Sequence, residues 1–492
     1  MNSWTKYPQI YEINTWVWLE ELSRSAGRPI TLASVPDVEW DCIAALGFDA
    51  VWLMGVWERS PMGKRIAMAN EGVRAEFQNA LPDFKEADNV GSPYAIRRYR
   101  VDEHLGGPDA LALARAKMAA RGLRLILDFV PNHVAPDHPW LAEHPRYFIR
   151  GGDKDLSREP ASFIDIGGNI FACGKDPCLP AWPDRVQVNG FDPGLRAATV
   201  ETLNAIAGQC DGVRCDRAML LLDSVFEETW GPRAGDRPEA EYWGEMIPAV
   251  KQKHPDFLFI AEANGDKEWE LQQQGFDFCY DRRLYDRLAH ESAESVRLHL
   301  GADRAYQSKL VRFIEDHDTL RASAAFNAEK LRAVAVAALT LPGARLVHEG
   351  QLEGLRVRLP VSLGRRPEEA ADSDLLAFYL QLLCAFKRGD FMRGDWQLCE
   401  LSGWPDNMTC NNLVAWTWTT ENSRCLIVVN LSETQSQSRI KIAWPGLNDR
   451  IWRLNDVFQS TSFERDGTEL EKEGLYVDLP AWGFHFLTAE RP

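Results

Sequence analysis

The sequence predicts an α/β fold: a closed (β/α)8 TIM barrel, a short inserted domain after its third strand, and a C-terminal antiparallel β-sandwich. Three observations predict it. Between about residues 9 and 350, short apolar runs of strand length alternate with longer stretches of helical spacing, the pattern of a parallel sheet with crossover helices. Residues 133–184 break into Gly, Pro, His and Trp-rich sequence without clear periodicity, and an excursion of that length is usually functional. After about residue 395, alternating runs at 413–418, 425–429, 440–443 and 483–487 mark antiparallel strands.

The barrel runs fall at 9–19, 50–56, 123–130, 212–215, 257–261, 276–280, 310–314 and 345–347, the number that closes a barrel and puts functional groups at the C-terminal strand ends. Helix signals sit between them. Asp192 and Pro193 form an N-cap and first-turn pair, and Val200, Leu203, Ile206 and Ala207 supply an apolar face. Pro108 opens a helix over 110–121 that Gly122 stops before the next strand. The organisation expected is a barrel from 1–133 and 185–394, an inserted domain at 134–184 and a sandwich at 395–492.

The bulk numbers fit that size. The 492 residues are 45% hydrophobic and 26% charged, an ordinary soluble balance with enough apolar side chain for a full core. A net charge of −17 argues against nucleic acid, which needs a positive field to displace phosphate counterions. Residues 1–12 have no long apolar stretch of the secretory kind, and no later run approaches membrane-spanning length, so a cytoplasmic location without a membrane partner is expected. The 10 cysteines are scattered and read as reduced thiols; Cys173 and Cys178 alone make half of any zinc pattern.

Three segments place a carboxylate where an apolar run ends: Gly212-Val213-Arg214-Cys215-Asp216, Phe259-Ile260-Ala261-Glu262-Ala263-Asn264 and Phe313-Ile314-Glu315-Asp316-His317-Asp318. Strand period two turns Arg214 and Asp216 to one side. The intervals between the acids allow one strand-helix unit and then two, so all three can converge at one barrel mouth. Converging acids raise the cost of ionising one another, and a catalytic reason is the stronger explanation. Glycoside chemistry needs one carboxylate to attack or screen the anomeric carbon and another to stay protonated for the leaving oxygen. Arg214 beside Asp216 would hold that acid ionised, and Glu262, with no adjacent cation in sequence, is the candidate for a raised pKa.

These segments, in this order, resemble the conserved regions of the α-amylase family, glycoside hydrolase family thirteen. Asp128-Phe129-Val130-Pro131-Asn132-His133 is similar to the first region, 212–216 to the second, 260–262 to the third and 313–318 to the fourth. Gln187-Val188-Asn189 resembles a short motif late in the inserted domain, and Leu341-Pro342-Gly343 through Gly350-Gln351-Leu352-Glu353-Gly354 the segment at the eighth strand. The resemblance implies Asp216 as nucleophile of a covalent glycosyl-enzyme, Glu262 as general acid then base, and Asp318 as transition-state stabiliser, with retention of an α-linkage. It implies Arg214 orienting the nucleophile, His133 and His317 bonding the reacting sugar, and Tyr94 as an aromatic platform under that ring. No cofactor is implied for the chemistry. Asn132 stands at a position that binds structural calcium in many relatives, although its further ligands are not found in the inserted segment.

Departures from the family pattern bear on which activity this is. Asp316 stands where Asn or Ser is usual, and is read as facing outward. Arg217, Ala218, Met219 and Leu220 replace the small residue and the Lys-His pair that follow the nucleophile of true α-amylases, so a contact to the leaving side of a long chain is missing. Arg321 resembles an arginine of α-glucosidase-like members and is read as substrate-binding, while 261–264 is similar to trehalose synthases. A small-molecule carbohydrate substrate is expected: short gluco-oligosaccharides or α-glucans for a hydrolase, with a transglycosylase or isomerase as the alternative. The 18 tryptophans are read mostly as core, while Trp57 and Trp182 flank predicted loops on the active face and neither is assigned a role.

Overall fold

Eight parallel strands close a barrel: β1 (Gln9–Asn14), β2 (Ala50–Met54), β3 (Arg124–Phe129), β4 (Gly212–Cys215), β5 (Leu258–Ala261), β6 (Phe278–Tyr280), β7 (Leu310–Arg312) and β8 (Ala344–His348). The computed structural model describes residues 4–388 and 390–490. Each apolar run supplies one strand in order, and β8 returns to β1 by pairing Gln9 with Arg345 and Glu12 with His348. Every residue of β2, β4 and β5 is buried, because helices cover the outside while side chains fill the inside. Gly343 permits the last turn: its φ is +112°, and a Cβ there would lie 2.2 Å from the Leu310 carbonyl oxygen.

The helix Pro193–Ala207 forms behind its cap, where the Asp192 carboxylate accepts from Leu195 N at 2.9 Å. Leu203, Ile206 and Ala207 are buried as the spacing predicts. Val200 is half-buried, and Arg196 and Thr199 hold the covered positions instead. Arg196 is accommodated there by pairing with Asp223 at 3.0 Å.

Two excursions leave the barrel. The first, after β2, pairs Trp57–Arg59 with Ile96–Val101 and carries the helices Pro61–Ala69 and Glu71–Ala80 around a small core of Phe77, Ala80, Leu81 and Leu363. The sequence reading assigned this stretch to the barrel, because so short a strand cannot be told from the tail of the run before it. The second, after β3, is a four-stranded sheet in the order His133–Val134, Trp182–Gln187, Asn169–Gly174, Phe163–Ile166. Val134, Phe148, Phe171 and Val186 form its core.

The C-terminal region is a sandwich of a six-stranded and a three-stranded sheet. Leu413, Ala415, Leu426 and Val428 of the larger sheet face Ile440, Leu475, Val477 and Leu479 of the smaller. The alternation expected at 413–418 is absent for a physical reason: Val414, Trp416 and Trp418 turn the other way into the barrel's core, and Trp418 Nε1 donates to Thr340 O at 2.8 Å. Among the described residues no helix is long and apolar enough to cross a membrane, and the cysteines are free thiols.

Candidate active site

Strand register sets the acids at one height. Arg214 pairs with Ile260 and Cys215 with Ala261, so Asp216 and Glu262 leave the ends of β4 and β5 side by side. Glu262 N donates to Cys215 O at 3.0 Å and Ala218 N to Glu262 O at 3.1 Å, which fixes the step between the two strands. The Arg214 guanidinium reaches both acids, donating from Nη1 to Asp216 Oδ1 at 2.6 Å and from Nη2 to Glu262 Oε2 at 2.7 Å. It is only 1% exposed. The rings of Tyr94, Trp52 and Tyr280 stand 5.3, 5.4 and 5.7 Å from it, low-polarity walls that strengthen its field.

Asp318 hangs from the loop after β7 with its side chain 51% exposed. That loop is stapled by Asp316, whose Oδ1 accepts from Thr319 N at 2.8 Å and Asp318 N at 3.1 Å. The outward orientation expected of Asp316 is therefore wrong: it is buried, with its carboxylate turned back onto the main-chain donors of its own loop. His317, one residue on, bonds through Nδ1 to Glu12 of β1 and through Nε2 to the Tyr94 hydroxyl at 2.8 Å, with Asp318 Oδ2 at 3.5 Å. His133 bonds through Nε2 to Tyr94 O at 3.1 Å. Burial, with Arg185 nearby, takes its pKa down to about 3, so the ring is neutral.

Burial pushes each of the three acids upward, and the surrounding charges then sort them. For Asp216 the Arg214 guanidinium, with Arg217, outweighs burial and leaves the pKa below the ordinary carboxylate value. For Asp318, His317 and Arg214 do the same. For Glu262, burial reinforced by Asp216 and Asp318 overcomes Arg214 and Arg217, and the pKa is raised. The expected direction holds for a different reason than absence of a cation. Glu262 has the Arg214 guanidinium and the Arg217 N–H, at 2.8 Å, yet like charges and desolvation prevail.

A cavity of about 670 Å³ lies against Glu262, bordered by Arg217, Asn264, Tyr280, Arg282 and Asp318. A second, of about 350 Å³, is bordered by Trp182, Arg185, His317, Asp318 and Arg358. Asp318 borders both, so it stands where a chain-like ligand occupying the two would be held. Trp182, which the sequence places beside a loop on the active face, lines the second cavity, with the Arg217 and Arg185 guanidinium groups 5.4 and 5.1 Å from its ring. Trp57 is core, donating from Nε1 to Asp128 O at 2.7 Å.

Asp216, Glu262, Asp318, Arg214, His317, His133 and Tyr94 are brought together. Arg321 is not. Its guanidinium is buried beneath the site, donating to Glu315 Oε1 at 2.6 Å, Glu349 O at 2.7 Å and His348 Nδ1 at 3.0 Å, and it borders neither cavity. The donors around Asn132 do not fit calcium. Its Oδ1 accepts from the Gln187 amide at 3.0 Å, so an N–H rather than a cation faces the oxygen. Among the described residues no group of three or more His, Cys, Asp or Glu side chains is placed to hold a metal.

Sequence reasoning missed Glu12, Trp52, Tyr280 and Arg217 as members of the site. Glu12 carried a legible signal, an acid inside an otherwise apolar strand run. Arg217 carried another, replacing a small residue next to the nucleophile position; its φ is +43°, a left-handed conformation uncommon for a residue with a side chain. Trp52 and Tyr280 gave none, since an aromatic in a buried strand is ordinary core.

Residues 39–161 match the family model described as alpha amylase, catalytic domain. Among curated proteins, the alpha-amylase MalA of Haloarcula japonica is 24% identical over 451 residues, covering 87% of this chain and 56% of that protein. An alpha-1,4-glucan:maltose-1-phosphate maltosyltransferase of Burkholderia pseudomallei is 27% identical over 280 residues, 54% of this chain and 20% of that one. The chain thus spans about half the length of the first of these relatives and a fifth of the second. A noncanonic maltogenic alpha-amylase, AmyB from Thermotoga neapolitana, superposes with a TM-score of 0.69 at 18% identity over 98% of both chains. The chain is thus similar to the alpha-amylase family through a catalytic-domain segment and through relatives of that kind, and the superposition shows that it shares their barrel fold.

Proposed function

We propose that this protein is a retaining α-glycoside hydrolase acting on α-glucosidic linkages of short gluco-oligosaccharides or α-glucans. The observation that carries the reading is the Arg214 fork, one guanidinium joining two carboxylates whose pKa values move in opposite directions. An acid whose ionised form is favoured beside one that holds its proton more tightly is the division of labour that glycoside cleavage requires.

In this reading the Asp216 carboxylate attacks the anomeric carbon while Glu262 gives its proton to the departing glycosidic oxygen. The C1–O bond breaks as a glycosyl ester forms. The Glu262 carboxylate then takes a proton from water, the resulting hydroxide attacks C1, and the ester bond returns its electrons to Asp216. Two displacements at one carbon retain the α configuration. Asp318 stabilises positive charge developing on the ring, and His133, His317 and Tyr94 hold its hydroxyls. A sugar hydroxyl in place of water would make the same site a transglycosylase or isomerase, a second reading favoured by the likeness to the maltosyltransferases. The free thiols and the absence of a membrane-spanning helix among the described residues support, for this reading, a reducing cytoplasmic setting without a membrane partner.

Product analysis by NMR after incubation with maltose, maltotriose, trehalose, sucrose and starch tests it. Release of glucose or a short oligosaccharide as the α-anomer is expected. A rearranged disaccharide would transfer the case to the second reading, and an initial β-anomer or five inert sugars would sink both. Asp216→Asn is expected to abolish turnover while sugar binding persists.

A further inference from the structure

We propose that Glu12, on the first barrel strand, is a positioning residue for Asp318, acting through His317. The inference rests on the glycosidase reading of Asp318.

Glu12 is fully buried, level with Trp52 on β2 and His348 on β8. Among the described residues its carboxylate makes one hydrogen bond, to His317 Nδ1, and its Oε2 is buried without a partner. That is unlike the acids that hold this fold together. Glu315, equally buried, accepts from Arg321 at 2.6 Å and from Ala322 N at 2.7 Å. A buried carboxylate with a lone partner is a poor structural device, since desolvation costs more than one bond returns. Its position makes sense if the charge itself is what is needed.

The ring it touches is crowded on every side. Facing His317 are Glu12 from β1, Trp52 from β2, Tyr94, Asp128 from β3, Arg214 from β4, His348 from β8, and Asp318 on its own loop. Burial and the Arg214 cation favour a neutral imidazole. Asp318 opposes them, and Glu12 does so both by its charge and by its hydrogen bond; the balance raises the His317 pKa to about 10. A doubly protonated ring donates from Nδ1 to Glu12 and from Nε2 to Tyr94, which fixes its plane and leaves a positive charge 3.5 Å from Asp318 Oδ2. Asp318 is half-exposed on a loop beside two other acids, and that charge keeps it ionised and aimed. Removing the Glu12 charge would free the ring to lose its proton and Asp318 to turn away.

The test uses the full chain and the variants Glu12→Gln, which keeps shape and removes charge, and Glu12→Asp, which keeps charge on a shorter arm. Nitrogen NMR of the imidazoles reports His317 directly. Wild type is expected to stay doubly protonated to about pH 10. Glu12→Gln is expected to titrate about 1 to 3 units lower, the usual effect of a charge at this range, with Glu12→Asp between the two. In Glu12→Gln the alkaline limb of kcat/KM should steepen from one proton to two above the new pKa, losing about a further tenfold per pH unit. The same His317 titration in Glu12→Gln as in wild type, or an activity loss of equal factor at every pH, would overturn the proposal. A neutral His317 in wild type at pH 8 would overturn it without any variant, which covers a Glu12→Gln that fails to fold. The NMR arm needs no substrate: a shifted His317 in a protein that turns over no glycoside would condemn the glycosidase reading and keep the hold of Glu12 on His317.

Discussion

Arg214 on β4 and Arg312 on β7 are both buried on barrel strands, and each faces an aspartate. Around Arg312 every group is matched. It donates to Asp281, from Nε to Pro342 O at 2.8 Å and from Nη2 to Gln307 O at 3.1 Å. Asp281 in turn accepts from Leu284 N and His299 Nε2, each at 3.0 Å. Arg214 is left unfinished: its Nε has no partner, its other nitrogens serve two carboxylates, and a third acid stands at the cavity beside them. A saturated cluster makes structure, while an unsaturated one facing a cavity keeps bonds available for a ligand. Burial of an arginine on a strand therefore marks neither role, and what its cluster leaves unpaired marks both.

The widest way to break this comparison is to remove one acid from each cluster. Glu262→Gln keeps the Arg214 bond and removes the transferable proton, so kcat/KM should fall about 10² to 10⁴-fold with the denaturant midpoint unchanged or raised. A loss of stability matching the loss of activity would mean that the Arg214 cluster is as structural as the other. Asp281→Asn should do the reverse. It strips the carboxylate from a fully buried guanidinium and should cost about 3 to 5 kcal/mol of unfolding free energy, while kcat per folded molecule is kept. Urea unfolding and active-site titration separate the two quantities.

The same contrast explains how much could be read in the sequence. The barrel was legible because nearly every strand residue is buried and the strands appear as short, mostly apolar runs, and the acids were legible because each follows the end of such a run. Arg214 and Arg312 look alike there, one in Gly-Val-Arg-Cys-Asp and the other in Leu-Val-Arg-Phe-Ile-Glu-Asp. Their difference lies in partners from β5, in Asp281 after β6 and in Gln307, which only folding brings near. Arg321 was misplaced for that reason: three residues from Asp318 in sequence, it turns back under the site to Glu315. The cation of Glu262 was missed because it sits on the neighbouring strand. The strands of the excursions were missed because segments as short as 2 residues show no period.

A smaller effect sharpens the comparison through pH, because the two clusters bind protons in opposite senses. Burial, Asp216 and Asp318 raise the pKa of Glu262 above its ordinary value despite Arg214. The folded state therefore holds this proton more tightly than the unfolded chain, and stability is lost as pH climbs through the raised value. Glu262→Gln removes that loss, so its stability relative to wild type should improve as pH rises from about 4.5 and then level off. Asp281 runs the other way: burial would raise it, but Arg312 and His299 prevail and its pKa is lowered. Its contribution is present above its unfolded value and disappears as pH falls through the folded one, so the penalty of Asp281→Asn should shrink below about pH 4. Denaturant midpoints across pH 3 to 8 for both variants would give difference curves that bend on opposite sides of the carboxylate range. Parallel curves would mean that the two arginines hold their acids alike, and that the open cavity rather than the proton balance distinguishes the site.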